Sequence, residues 1–441
     1  MLLQEHQGLI LRWMSLFTAL VLAGCLGRSV ESNAKRVSRE VAQAATQLED
    51  GHGPEALEIC ERLAREAEFS TLPPAARERV WTLLGLSAAA TEDTEKAVSG
   101  FEKALKCFPE EPVTVVKKQV ALDLARCYLE MNDGARARAA LAQVAGNNGA
   151  RNDFASAAKG DFSSSLLQAE SYLLDGEPRH AQTILESLRG SSRAAFSLGV
   201  IHFDGGDRER ALKHFEEAAR LEPQEYYTGI YRARSLLELD RAEEAIGILE
   251  VQGGSAGGAG SSSQGFNTPE VFFLLGRAYI RRKRFADGAR QLREAIKQRP
   301  DYTEALFSLG TSLRRLGQLD EARKVLKRFK ALYRVEVSRL KKLQAQAQVV
   351  LLQPKNAMAL EELARLALEA GDLQAAQQHA WRVLRLESDP GEARLTLART
   401  LLRTGRYTAA AVHYQRFIRA HPRHSTALSE LEHLVREHSR K

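Results

Sequence analysis

The chain has 441 residues, of which 44% are hydrophobic but only 7% aromatic, and a formal net charge of +7. That length holds two or three average domains or one long repeat array, and a mix rich in Ala, Leu, Arg and Glu favours packed helices over sheets. So modest a charge over this length does not argue for a nucleic-acid binder, and an excess of Arg over Lys, 46 to 17, marks no site by itself.

Residues 1–24 read as a targeting segment. Arg12 precedes an uncharged run, Trp13 to Gly24, that fits a secretory signal core and falls short of the roughly 20 apolar residues of a membrane span. Glu5 offsets Arg12 and leaves the leading end nearly neutral. The run ends in Leu22-Ala23-Gly24-Cys25, which resembles the lipobox of bacterial lipoproteins. The resemblance implies cleavage before Cys25, a diacylglyceryl thioether on its sulfur and an acylated amino group. One acyl chain binds a membrane only marginally, whereas two or three hold. Leu26 follows the cysteine where an Asp would signal inner-membrane retention. The resemblance therefore implies an outer-membrane anchor facing the periplasm. An ordinary signal peptide or short anchor with a chance cysteine is the alternative. Residues 25–36 read as a lipidated tether.

The body of the chain repeats. Its clearest unit carries Trp81, Leu84, Gly85, Ala88, Ala97, Phe101, Ala104 and Pro109, which is similar to the tetratricopeptide repeat. Small residues let two antiparallel helices approach, large ones fill the gap to the next hairpin, and proline stops the second helix. The same register returns at Leu198–Pro223, Phe272–Pro300, Leu309–Leu326 and Leu397–Pro422, with weaker copies around Ala56, Ala137, Ala181, Ala245 and Ala376. Turn signals such as "NDGARA", "GEPRHA", "GGDRERA" and "GQLDEA" stand where the helices reverse.

The fold implied is all-α: a tetratricopeptide superhelical solenoid of about ten hairpins, arranged as arrays over 37–252 and 268–423 and closed by a cap helix within 424–441. Between the arrays, residues 253–267 are Gly/Ser-rich, and such a coil spans about 20 Å. They form either a hinge or an excursion between stacked repeats. The longest spacing between anchor alanines, Ala322 to Ala376, predicts an extended second helix that ends before Pro354.

No catalytic constellation is present: the sequence has no Walker loop, no G-x-S-x-G elbow and no H-E-x-x-H, and the chain reads as a non-enzyme. His413, His421, His424, His433 and His438 gather near the C-terminus as solvated surface groups rather than metal ligands, since "HPRH" crosses a proline turn. With Cys25 acylated, Cys60 reads as a small core hydrophobe, and a Cys107–Cys127 disulfide stays open.

Binding is the better prospect. In tetratricopeptide repeats the first helix of each hairpin lines the groove, and in that register Arg126, Arg234, Arg277, Arg365 and Arg399 share one position. Phe196, Phe203, Phe273 and Phe307 lie among them. An apolar floor with repeated guanidiniums suits an extended or helical peptide bearing carboxylates, unless groove acids such as Glu238 and Glu369 pair with the arginines instead. Between Arg277 and Lys342 there are 20 Lys or Arg against 7 Asp or Glu. This basic patch includes Arg281, Arg282, Lys283 and Arg284 at a hairpin tip, and Lys327 and Arg328 on the long helix. An acidic protein, anionic lipid or anionic envelope polymer would complement it; a plain solvated helix face is the alternative.

These features together predict a periplasm-facing, membrane-anchored scaffold that holds proteins of a multiprotein envelope machine. A gliding-motility apparatus is the first choice, with pilus or polysaccharide-export assembly and regulation of a cell-wall enzyme as alternatives. No cofactor beyond the acyl chains on Cys25 and no nucleic acid are expected.

Overall fold

The computed structural model describes residues 28–438 apart from 110–112, 145–161, 189, 224, 253–267 and 388–390. The candidate signal peptide 1–24, Cys25 and the Gly/Ser-rich insert therefore lie outside the described residues. Among the described residues there are 21 α-helices and no strand. Twenty of them follow one another as ten helix–turn–helix pairs. In the first half of the chain these are α1 (Arg28–Glu49) with α2 (Gly53–Arg65), α3 (Pro74–Ala90) with α4 (Thr94–Leu105), α5 (Val115–Glu130) with α6 (Gly134–Ala142), α7 (Phe162–Leu174) with α8 (Pro178–Ser187), and α9 (Ser192–Asp204) with α10 (Arg208–Leu221). The rest are α11 (Tyr226–Glu238) with α12 (Ala242–Gln252), α13 (Pro269–Arg281) with α14 (Phe285–Gln298), α15 (Thr303–Arg315) with α16 (Leu319–Leu352), α17 (Ala357–Ala370) with α18 (Leu373–Leu386), and α19 (Gly391–Arg403) with α20 (Tyr407–Ala420). The last helix, α21 (Ser425–His438), is the expected cap, and it packs on α20. α16 runs through the long anchor interval to Leu352, as its spacing predicts. Residues 28–36, within the expected tether, form the opening turns of α1, since nothing after Gly27 breaks a helix there.

The hairpins share one turn. Each carries a residue with positive φ between its helices: Gly51, Glu92, Asn132, Gly176, Gly206, Asp240, Lys283, Gly317, Gly371 and Gly405. This left-handed residue closes the first helix and lets the chain reverse. The next residue often caps the second helix, as Asp93, Asp133, Asp207 and Asp372 accept from backbone N–H groups of α4, α6, α10 and α18. Small residues set the helix approach. A Cβ on Gly100 would stand 2.7 Å from the Gly85 nitrogen, and one on Gly199 would meet the Phe215 ring at 2.5 Å. The repeat alanines 56, 97, 137, 181, 211, 245, 322, 376 and 410 are all buried.

Contacts divide the chain into two compact units. The first comprises residues up to 156, 170–176 and 345–441; the second comprises 157–169 and 177–344. Within each, a helix packs on its hairpin partner and on the next hairpin, and alternate first helices also touch, as α11 does α13 and α17 does α19. This is solenoid stacking, with stability arising between neighbouring repeats.

Candidate functional site

The five register arginines stand on first helices, as expected, and every one already faces a carboxylate of the chain. In the first unit Arg126 pairs with Asp123 at 2.9 Å on its own helix. Arg365 pairs with Glu362 and Glu369, also on its own helix. Arg399 reaches Glu430 of the cap helix at 3.0 Å through two nitrogens. In the second unit Arg234 on α11 pairs with Glu270 on α13, while Arg277 on α13 lies 3.8 Å from Glu238 on α11. Two crossed ion pairs thus tie consecutive first helices together. Glu238 and Glu369 fill the neutralising role that the sequence left open to them.

The aromatic residues of the row cluster in the second unit. Phe196 stacks edge-on to Tyr231 at 5.4 Å, and Phe203 approaches the same ring at 5.8 Å. Phe273 lies against Tyr302 at 4.8 Å, with Arg277 over its outer face. Phe307 is half exposed and meets Phe329 of α16, which in turn stacks on Tyr333. Phe196, Phe203 and Phe273 are partly buried in these contacts. Tyr227, Phe307 and Tyr333 keep 60, 50 and 49% of their surface free and present open aromatic surface beside the internally paired arginines of the chain. Tyr227 and Tyr333 were not singled out in the sequence; their register positions on first and second helices were the available signal.

The basic patch divides in two. At the α13–α14 turn Arg281 pairs with Asp240, Arg282 with Glu243 and Arg284 with Asp287, which leaves Lys283 exposed on its left-handed backbone. On α16 the balance differs: Arg328 donates to the Pro300 carbonyl, and Lys327 has no carboxylate within reach among the described residues.

The first unit contains an association that the sequence did not reveal. The turns after α3 and α5 meet α18, α19 and α20, hundreds of residues later. Arg416 grips Asp93 and Glu95, and Arg394 also takes Glu95 at 3.0 Å. Arg406 reaches Glu130 at 3.3 Å. The backbone N–H of Ala409, in the first turn of α20, donates to Glu92 at 2.9 Å, where a helix start favours an anion. Gln377 and Arg385 donate to the carbonyls of Glu130 and Met131, which close α5.

His413 sits behind this latch and corrects the reading of the C-terminal histidines as surface groups. It is 3% exposed, edge-on to Trp381, with Nδ1 3.4 Å from Arg394. Burial, and then the charges of Arg394, Arg416 and Arg406, push its pKa down to about 3. His424 accepts from the Ala427 N–H at the start of α21; His433 is exposed. No cluster of His, Cys, Asp or Glu fit to hold a metal occurs among the described residues. Cys60, Cys107 and Cys127 are free thiols, so the pairing left open for Cys107 and Cys127 is not formed. Burial raises the Cys60 thiol to about 12 and that of Cys127 well above its ordinary range. Neither has thiolate character.

Stacked hairpins with small residues at their crossings define a helical repeat protein. Models of the tetratricopeptide repeat match residues 196–252, 273–335 and 367–431, so the chain carries tetratricopeptide repeats in both units. Repeats of this kind are typically non-catalytic modules that bind other proteins. No curated protein matches the chain. Among solved structures it is similar to MamA from Desulfovibrio magneticus, at 19% identity over 42% of this chain and 98% of that one, with a TM-score of 0.35. A thermophilic tetratricopeptide protein of Thermus thermophilus is 20% identical over 48% of this chain and all of its own, with a TM-score of 0.28. The Cut9–Hcn1 hetero-tetramer of the APC/C aligns over 92% of this chain and 79% of its own, at 14% identity and a TM-score of 0.34.

Proposed function

We propose that this protein is a non-enzymatic scaffold, anchored by acyl chains on Cys25 to the outer membrane and facing the periplasm. There it holds partner proteins of an envelope machine such as a gliding-motility apparatus. The observation that carries the binding role is the row of half-exposed aromatics on stacked hairpins of the second unit, Tyr227, Phe307 and Tyr333. Large exposed aromatics are the residues that anchor protein interfaces. Membrane attachment rests on the lipobox-like Leu22–Cys25 alone.

Crosslinking in cells followed by pull-down tests the scaffold role. Several stoichiometric structural partners are expected, with recovery lost on Tyr227→Ala plus Phe307→Ala. A single co-purifying enzyme would instead make the protein that enzyme's regulator. For the anchor, the Cys25→Ser protein should leave the membrane fraction; if it stays there, the acyl anchor is wrong.

A further inference from the structure

α16 is a hairpin helix with more than twice the length of its partner α15. Gly310 faces Leu326 and Phe307 faces Phe329, an antiparallel register that brings the start of α15, Thr303, opposite Tyr333. Beyond that point α16 continues without α15 beside it. Its sequence continues as though a partner helix were still there. Ala322, Leu326, Phe329, Tyr333, Leu340 and Leu343 fall at alternating four- and three-residue steps, with only the step at Glu336 filled by a polar residue. A 3.5-residue repeat of this kind is the signature of a helix that packs along another helix. Ala322 is buried, whereas Tyr333 and Leu340 are each 49% exposed and Leu343 is partly buried: the stripe is covered where α15 lies on it and opens at Tyr333 and Leu340 beyond.

Charge separates this segment from the rest of the molecule. From Arg323 to Lys342 there are nine Lys or Arg and one acid, Glu336. Lys324, Lys327, Lys330, Arg334, Lys341 and Lys342 have no carboxylate within 4 Å among the described residues. The five groove arginines, by contrast, are all paired. At about 100° per residue, Lys330, Arg334 and Lys341 border one side of the open stripe.

We propose that the free part of α16, residues 330–343, docks an acidic amphipathic helix of a partner protein, which takes up the place that α15 vacates. The apolar stripe supplies helix-in-groove contact, and the bordering cations select Glu or Asp at the flanks of the incoming helix. Glu336 would face a basic or polar residue and so set the register. A second copy of α16 is excluded as occupant by like charge. This surface shares Tyr333 with the aromatic row but not Tyr227 or Phe307, so variants at Tyr227 and Phe307 test the row and variants at Leu340, Lys330 and Arg334 test this surface.

The test uses the full chain and a three-heptad synthetic helix with Leu at the packing positions and Glu at the flanks, whose like charge opposes self-pairing. Saturable binding is expected, weakened at least about tenfold by Leu340→Glu and by Lys330→Glu with Arg334→Glu, and weakened also by high salt. Val335→Ser, on the opposite face and 58% exposed, should leave it unchanged. Because these side chains are exposed, the variants should melt with the parent, which separates lost docking from lost folding. The proposal is overturned if a scrambled peptide of the same composition binds as well, if Leu340→Glu binds as before, or if the peptide does not bind. It is equally overturned if Leu340 is needed instead for binding phosphatidylcholine vesicles containing one quarter phosphatidylglycerol, which would make α16 a membrane-surface helix.

Discussion

Arg416 and Asp93 stand 323 residues apart, yet one guanidinium nitrogen of the arginine donates to both carboxylate oxygens of the aspartate, at 2.7 and 2.8 Å. Asp93 also caps α4 by accepting from the Lys96 N–H, so one carboxylate starts a helix and closes the latch. It is 5% exposed, and a buried charge that loses its partner is costly. Arg416→Ala should therefore destabilise the protein by about 2–4 kcal/mol. Asp93→Asn keeps a capping oxygen but removes the charge. In urea unfolding the double variant should recover at least about 1 kcal/mol of the summed single effects; strict additivity would mean that the pair contributes nothing as a pair.

Glu92 and Lys283 occupy the same left-handed turn position, at φ of 56° and 59°, where a side chain costs about 1–2 kcal/mol against glycine. Only Glu92 has a reason to be there, because its carboxylate accepts from Ala409 at the start of α20. Lys283→Gly should stabilise the protein by about 1 kcal/mol. Glu92→Gly gains the same relief but loses the latch contact, and the net change should be destabilising. Urea midpoints of the two variants moving in the same direction would show that Glu92 is held by nothing beyond the turn.

These turns also show what the sequence could convey. "NDGARA", "GEPRHA", "GGDRERA" and "GQLDEA" each contain the residue that becomes left-handed, because Gly and Asn tolerate that backbone. The turns at Glu92 and Lys283 carry no such signal, and only the spacing of the repeat anchors Ala97 and Gly288 marked them. The latch was illegible for another reason: in an Arg-rich chain, nothing local tells which guanidinium meets a carboxylate hundreds of residues away. His413 was legible in principle. It lies three residues after Ala410 and four before Phe417, on the stripe that α20 buries, and its type alone suggested the surface.

Gly100 and Gly247 both lie inside helices but should respond oppositely to alanine. A Cβ at Gly100 would press on the α3 backbone at Gly85, 2.7 Å away, whereas one at Gly247 would meet nothing within 4 Å. Gly100→Ala should cost about 1–3 kcal/mol by forcing α3 and α4 apart. Gly247→Ala should add about 0.4–1 kcal/mol through the unfolded chain. Thermal melts of the two variants give the comparison, and a neutral Gly100→Ala would mean that the hairpin crossing has slack.

His413 makes the latch sensitive to acid. Folded, its pKa is held down near 3, first by burial and then by Arg394, Arg416 and Arg406; unfolded, it returns to about 6.5. Between those values the unfolded chain binds a proton that the folded one refuses, so this group's contribution to stability is full above about pH 6.5 and is lost as pH falls towards 3. The slope reaches at most about 1.4 kcal/mol per pH unit. The groups that face it are Arg394 of α19, Arg416 of α20, Arg406 of the turn between them and the Trp381 ring from α18, with Asp93 and Glu95 paired to Arg394 and Arg416 and Glu130 to Arg406. The window from about pH 6.5 to 5 lies just below the unfolded histidine's pKa, where the proton uptake of the two states differs. His413→Gln removes the proton site while keeping a polar side chain of similar reach. In urea titrations over that window, the parent should lose stability with falling pH more steeply than His413→Gln, by close to one proton. Parallel slopes would mean that the imidazole reaches solvent and protonates without opening the latch.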